Sequence, residues 1–140
     1  MVNNVQRSLI ALICITSLSA CSPSSIQPFT SDGCSLFPDG DLEDNERWLN
    51  CCTQHDIAYW QGGSKEQRYQ ADLALKQCVS NLNKEKTAEL MFAGVRAGGS
   101  PYFPTWYRWG YGWPYTRGYA PLTEDEQQQI EHHLKALSPS

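Results

Sequence analysis

The sequence predicts a small all-α domain locked by disulfides, with two antiparallel helices at its centre, an irregular aromatic-rich segment and a C-terminal helix. Three observations predict it. Apolar residues recur at helical spacing in successive stretches, and no stretch alternates as a half-buried strand would. Stop and start signals punctuate these stretches: Gly62-Gly63 followed by Ser64-Lys65-Glu66-Gln67, then Gly98-Gly99, then Thr123-Glu124-Asp125-Glu126. Cys34, Cys51, Cys52 and Cys78 fall in and just before the first two helical stretches. An even set of this kind suits two bridges in an oxidising compartment.

Residues 1–20 read as a signal peptide. Arg7 supplies the positive flank, and Leu9 to Leu18 is a mostly apolar stretch too short to span a bilayer. The following Leu18-Ser19-Ala20-Cys21 resembles the lipobox of bacterial lipoproteins. That resemblance implies cleavage before Cys21 and lipid attached to its thiol. Ser22, rather than an aspartate, implies sorting to the outer membrane. The expected location is therefore the bacterial cell envelope, lipid-anchored, with a phospholipid membrane as the neighbouring surface. Removing Arg7 takes the formal charge from −4 to −5. An acidic chain offers no broad attraction for nucleic acid, and none is expected as a partner.

Residues 21–30 are rich in Ser and Pro and are expected to be a flexible tether. Residues 31–140 are one domain's worth of chain. Ser31 to Asp41 holds two Asp-Gly pairs and a proline and reads as a loop. The first helix is expected from about Asp44 to Trp60, with Trp48, Cys52, His55 and Tyr59 on one stripe. The capping box at Ser64 opens a second helix running to about Leu82, with a stripe of Asp72, Leu75, Val79 and Leu82. The short link between them predicts antiparallel packing. Asp72 lies on the apolar face, where a carboxylate needs a partner. Candidates are His55 across the helix pair, or an arginine such as Arg47 or Arg68. A third helix is expected over Glu85 to Ala97.

Ser100 to Tyr119 carries nine aromatic residues among prolines and glycines. It is expected to cover the helical core, with a lipid-facing role as the alternative. Arg96, Arg108 and Arg117 are the cations nearest to hand for a phosphate head group, solvated surface being their ordinary alternative. The last helix, opened by the capping box at Thr123, places Ile130, Leu134 and Leu137 on one side. His132 and His133 diverge by roughly 100° and suit a shared metal poorly. Adjacent Cys51 and Cys52 would bridge each other only with strain, which leaves two pairings of the four cysteines. A zinc site is disfavoured by their spacing.

The chemistry concentrates in Cys51 to Trp60. At about 3.6 residues per turn, Cys52, His55 and Tyr59 share a helix face, with Asp56 roughly 100° round from His55. The pattern Cys51-Cys52-x-x-His55-Asp56-x-x-Tyr59 resembles the active-site helix of the secreted phospholipase A2 superfamily. A second match is Asp72, six residues before Cys78. The resemblance covers about Cys34 to Cys78.

It implies calcium-dependent hydrolysis of an acyl ester of glycerophospholipids. His55 would be the general base, Asp72 would fix its tautomer, and Tyr59 would donate to Asp72. Asp56 would bind Ca2+ together with backbone carbonyls, for which Gly33, Ser35 and Phe37 are the corresponding positions. It also implies Cys34–Cys52 and Cys51–Cys78 bridges. The loop departs from the family: Ser35-Leu36-Phe37 stands where glycines are usual, and the spacing from Cys34 to His55 is slightly longer than usual. Asp32 or Asp39 is therefore a second candidate for a carboxylate ligand. The alternative function is a non-catalytic envelope lipoprotein of the same fold that binds lipid or a protein partner.

Overall fold

The computed structural model describes residues 24–137, which fold as four α-helices and one short 3-10 turn, with no strands. The signal segment and Cys21 lie outside the described residues. Helix α1 is Leu49–Gln61, α2 Lys65–Ser80, α3 Glu85–Gly98 and α4 Glu124–Leu137, with the 3-10 turn at Tyr115–Arg117. Helix α2 packs against both α1 and α3.

Helix α1 starts later than the sequence suggests, because side chains claim the backbone before it. The Asp41 carboxylate accepts from the backbone N–H of Glu43 and Asp44, and the Asp44 carboxylate accepts from that of Glu46. The backbone N–H of Trp48 donates to the carbonyl of Asp39. Such local bonds offer the chain an alternative to the helix ladder. Asp41 also receives Lys84 and Arg47, and the Lys84 hydrogen bond holds its carboxyl down at about 2.

Contacts along α1 and α2 establish their antiparallel register. Cys51 near the start of α1 bonds Cys78 near the end of α2, His55 meets Asp72, and Tyr59 meets Arg68. As the α1 number rises, its α2 partner's falls. The turn between them needs Gly62 in the left-handed region, at φ 67°. Ser64 then caps α2 through the expected box. Its hydroxyl accepts from the Gln67 N–H at 3.2 Å, while the Gln67 side chain accepts from the Ser64 N–H at 2.8 Å.

The disulfides are Cys34–Cys52 and Cys51–Cys78. The first ties the loop before α1 onto the helix, and the second ties the far ends of α1 and α2 together. Both sit in one core with Trp48, Leu75, Val79 and Met91.

A second core lies behind α1, where Trp60 meets Ile26, Trp113 and Ile130. Residues 26–30, expected as part of the tether, are packed here instead. Ile26 is buried, the Gln27 N–H donates to the Gly112 carbonyl, and Phe29 meets the Trp60 ring edge-on. Apolar side chains at 26 and 29 outweigh the Ser/Pro composition around them.

The aromatic segment divides in two. Trp109 and Trp113 are buried on the C-terminal end of α1, whereas Tyr102, Phe103 and Trp106 are exposed. Its buried half serves the last carbonyls of α1, which have no partner within their own helix. Gly110 N–H donates to Tyr59 O, Gly112 N–H to Trp60 O and Trp113 Nε1 to Gln61 O, while Trp109 Nε1 holds the Gly63 carbonyl in the following turn. Arg108 and Arg117 belong to this scaffold rather than to a free basic surface. Arg108 is buried, donates to the carbonyls of Gly110 and Trp113, and stacks over Tyr115. Arg117 pairs with Glu126. Helix α4 has its capping box, with Thr123 and Glu126 bonding reciprocally, and buries Ile130; Leu137 is exposed.

The Cys51–Cys78 bridge closes a sequence separation of 27 residues. Replacing both cysteines by serine should lower unfolding stability by roughly 3–4 kcal/mol in urea titration. An unchanged midpoint would mean that the bridge contributes nothing beyond the packing around it.

Candidate functional site

The two matches in the sequence meet across α1 and α2. His55 Nε2 lies 2.8 Å from Asp72 Oδ1, and the Tyr59 hydroxyl donates to the same oxygen at 2.7 Å. Asp72 is wholly buried, at 0 % exposure. Its other oxygen, Oδ2, accepts from Arg96 Nη1 at 2.6 Å, and Arg68 Nε stands 3.9 Å away. Histidine and arginine therefore share this carboxylate, where the sequence left them as alternatives. Arg47 is elsewhere, paired with Asp41 and Glu43.

Burial by itself would raise the pKa of Asp72. The hydrogen bonds from His55, Arg96 and Tyr59 outweigh it and hold the carboxyl below its usual range. An ionised carboxylate only accepts, so Nε2 of His55 must carry the proton in this contact. In the neutral ring that leaves Nδ1 as the acceptor. Among the described residues no group hydrogen-bonds Nδ1, and it is not among the buried polar atoms that lack a partner. The ring forms part of the wall of a cavity of about 340 Å³.

That cavity lies between the loop at 33–37 and α3. Its wall is mainly apolar, with Leu36, Phe37, Leu90, Met91 and Val95 around the His55 and Asp56 side chains. Leu36 and Leu90 are 81 % and 62 % exposed. Gly99 lets the end of α3 come close, since a Cβ there would run into the Tyr59 hydroxyl. Gly33, Ser35 and Leu36 all have positive φ, at 77°, 25° and 61°. Only the first is a glycine, and the left-handed region is uncommon for the other two.

Asp56 differs from Asp72 in having no basic partner among the described residues. It is 9 % exposed, and its one side-chain hydrogen bond among them comes from the Ser31 hydroxyl, at 2.6 Å to Oδ2. Burial pushes its carboxyl up to about 7; the Ser31 bond works against this, and the charges of Asp32 and Asp39 add to it. A second cavity, of about 150 Å³, joins Asp56 to Ser31, Asp32, Ser35 and Trp106. A buried carboxylate without a cation, beside two more acidic residues, is the setting a hard divalent cation fits.

Gly33, Ser35 and Phe37 all line the larger cavity with Asp56. Asp39 and Asp32 already have protein donors. Asp39 Oδ1 accepts from the Cys34 N–H at 2.8 Å, and Asp32 accepts from the Ser35 hydroxyl and from Trp106 Nε1. Among the described residues no three His, Cys, Asp or Glu side chains gather as a metal site. A cation at Asp56 would therefore draw most of its six to eight oxygens from backbone and water.

Two participants have no sequence signal. Ser31 carries no motif, and Arg96 adjoins the apolar stripe of α3 as an ordinary basic residue of a last helical turn. Comparisons with protein-family models, curated proteins and solved structures find no match for this chain.

The two carboxylates should show opposite pH signatures. A raised folded pKa at Asp56 means stability that is full below about pH 4 and falls as pH rises towards 7. The lowered pKa at Asp72 means stability that is full above about pH 4 and is lost on acidification. In metal-free buffer, Asp56→Asn should therefore be more stable than the parent at pH 8, on the order of a few kcal/mol, with the gap closing near pH 4. Urea midpoints across this range measure it, and parallel curves would contradict the assignment.

Proposed function

We propose that this chain hydrolyses an acyl ester of glycerophospholipids, using calcium, with His55 as the general base. The observation that carries the reading is the orientation of one ring. His55 gives Nε2 to a buried, charge-compensated carboxylate, leaves Nδ1 without a protein hydrogen bond among the described residues, and lines an apolar cavity that it shares with Asp56. A structural histidine needs only the first contact. The resemblance to the secreted phospholipase A2 superfamily at Cys51–Tyr59 and at Asp72–Cys78 supports the same reading.

The chemistry follows from the bond directions. A water beside Nδ1 loses its proton to the ring as its oxygen attacks the ester carbonyl carbon. Asp72 stabilises the resulting imidazolium without taking the proton itself. The tetrahedral carbon then expels the glycerol oxygen, which takes the proton back from Nδ1. The products are a free fatty acid and a lysophospholipid, and the ring ends neutral. Tyr59 is a positioning residue, holding Asp72 Oδ1 in place.

Asp56, with the backbone carbonyls of Gly33, Ser35 and Phe37, would hold the calcium, which when bound would supply positive charge for the developing oxyanion and the substrate phosphate. The apolar lining, with Leu36 and Leu90 exposed at its edge, suits an acyl chain. Anchoring through Cys21 would keep the domain at the membrane that holds its substrate.

The test is fatty-acid release from phosphatidylcholine vesicles. The full chain should release it with calcium and stop on chelation, and His55→Gln should fall by about 10²- to 10⁴-fold. Calcium should raise the thermal midpoint of the parent and leave that of Asp56→Ala unchanged. A folded protein with no hydrolysis and no calcium response would instead be a non-catalytic lipoprotein that binds lipid or an envelope protein.

A further inference from the structure

We infer that Arg96, reaching in from α3, is a positioning residue for His55: by holding the second oxygen of Asp72 it presents the first to the ring. The inference rests on the reading of His55 as a base, and it adds a third helix to a site that the sequence confines to two.

A carboxylate turns softly about its last torsion. Fixing one oxygen therefore needs a hold on the other. Oδ1 takes His55 at 2.8 Å and Tyr59 at 2.7 Å, both from α1. Oδ2 has one direct donor, Arg96 Nη1 at 2.6 Å. Arg68 is the only other cation close by among the described residues, at 3.9 Å, and most of its donors are already committed. Its Nε goes to the Tyr59 hydroxyl, Nη1 to the Tyr119 hydroxyl, and Nη2 to the carbonyls of Val95 and Arg96. Four of the five N–H donors of Arg68 are thus engaged in fastening α2 to the end of α3 and to Tyr59 and Tyr119, and its Nε, the atom nearest Asp72, already serves Tyr59.

The same bonds steady Arg96. Its own carbonyl is held by Arg68 at 3.0 Å, and its guanidinium lies over the Tyr69 ring, 5.5 Å from the centroid. The Arg96 side chain is 28 % exposed, so it reaches the buried carboxylate from the surface side. With Arg96 removed, Asp72 would be free to turn, Nε2 would lose a fixed acceptor, and the proton could settle on either ring nitrogen. A ring protonated at Nδ1 cannot accept from water.

The tautomer of His55 is the direct readout, because a merely structural ion pair would not move it. Two-bond proton–nitrogen spectra of the labelled full chain should show the parent as the pure Nε2–H form. Arg96→Met should show a mixture. On vesicles with calcium, Arg96→Met should lose about tenfold to a hundredfold in kcat with little change in KM. Arg96→Lys, which keeps one charged donor, should recover most of the loss. Arg96→Leu, which also lacks a donor, gives the same readings should the methionine variant not fold.

An unshifted tautomer in a folded variant would overturn the inference, as would an unchanged kcat. A parent that shows the Nε2–H form but hydrolyses nothing would sink the enzymatic reading and leave the tautomer shift to decide the role of Arg96.

Discussion

One buried carboxylate organises the centre of this molecule. Asp72 has no exposure to solvent, yet it remains ionised because it receives hydrogen bonds from α1 and α3 while sitting on α2. An ion in that position is tolerated only with every lone pair satisfied. The contacts that meet this demand join α1 to α2 at His55 and Tyr59 and tie the last turn of α3 to α2 at Arg96. The glycine at 99 belongs to the same constraint, since any larger residue would displace the Tyr59 hydroxyl from the carboxylate. The Cys51–Cys78 bridge locks the opposite end of the same helix pair. The carboxylate and the bridge together leave α1 and α2 little freedom to slide.

A few ångströms of environment separate Asp72 from Asp56 in behaviour. Asp72 is compensated within the protein, by two arginines, a tyrosine and a histidine. Asp56 is almost as buried and, among the described residues, has only a serine hydroxyl. The first arrangement is complete in itself and orients a ring. The second leaves a buried carboxyl whose burial raises its pKa to about 7. Under the proposed function, two carboxylates with such different surroundings would give a single site both an orienting group and a cation ligand.

Much of this was legible in the sequence, for identifiable reasons. Helix starts at Ser64 and Thr123 follow from local side-chain chemistry, and the capping boxes form as read. The contact of Asp72 with His55 follows from placing a carboxylate on an apolar face opposite a histidine. The disulfide pairing agrees with the one implied by the family resemblance. The late start of α1 was not legible, because Asp41 and Asp44 act through backbone bonds that composition does not reveal. The docking of residues 26–30 was hidden because Ile26 and Phe29 find their partner, Trp60, more than 30 residues away. Arg96 was hidden for a similar reason: its partner lies on a different helix, and nothing in its neighbours distinguishes it from a solvated arginine.

The account stands on water attacking an acyl carbon under the control of His55. Incubation with phosphatidylcholine vesicles and calcium in oxygen-18 water, followed by mass spectrometry of the products, tests this most directly. Label is expected in the released fatty acid and not in the lysophospholipid, with His55→Gln releasing labelled fatty acid at least about a hundredfold more slowly. Label appearing in the lysophospholipid, or equal labelling without His55, would contradict it.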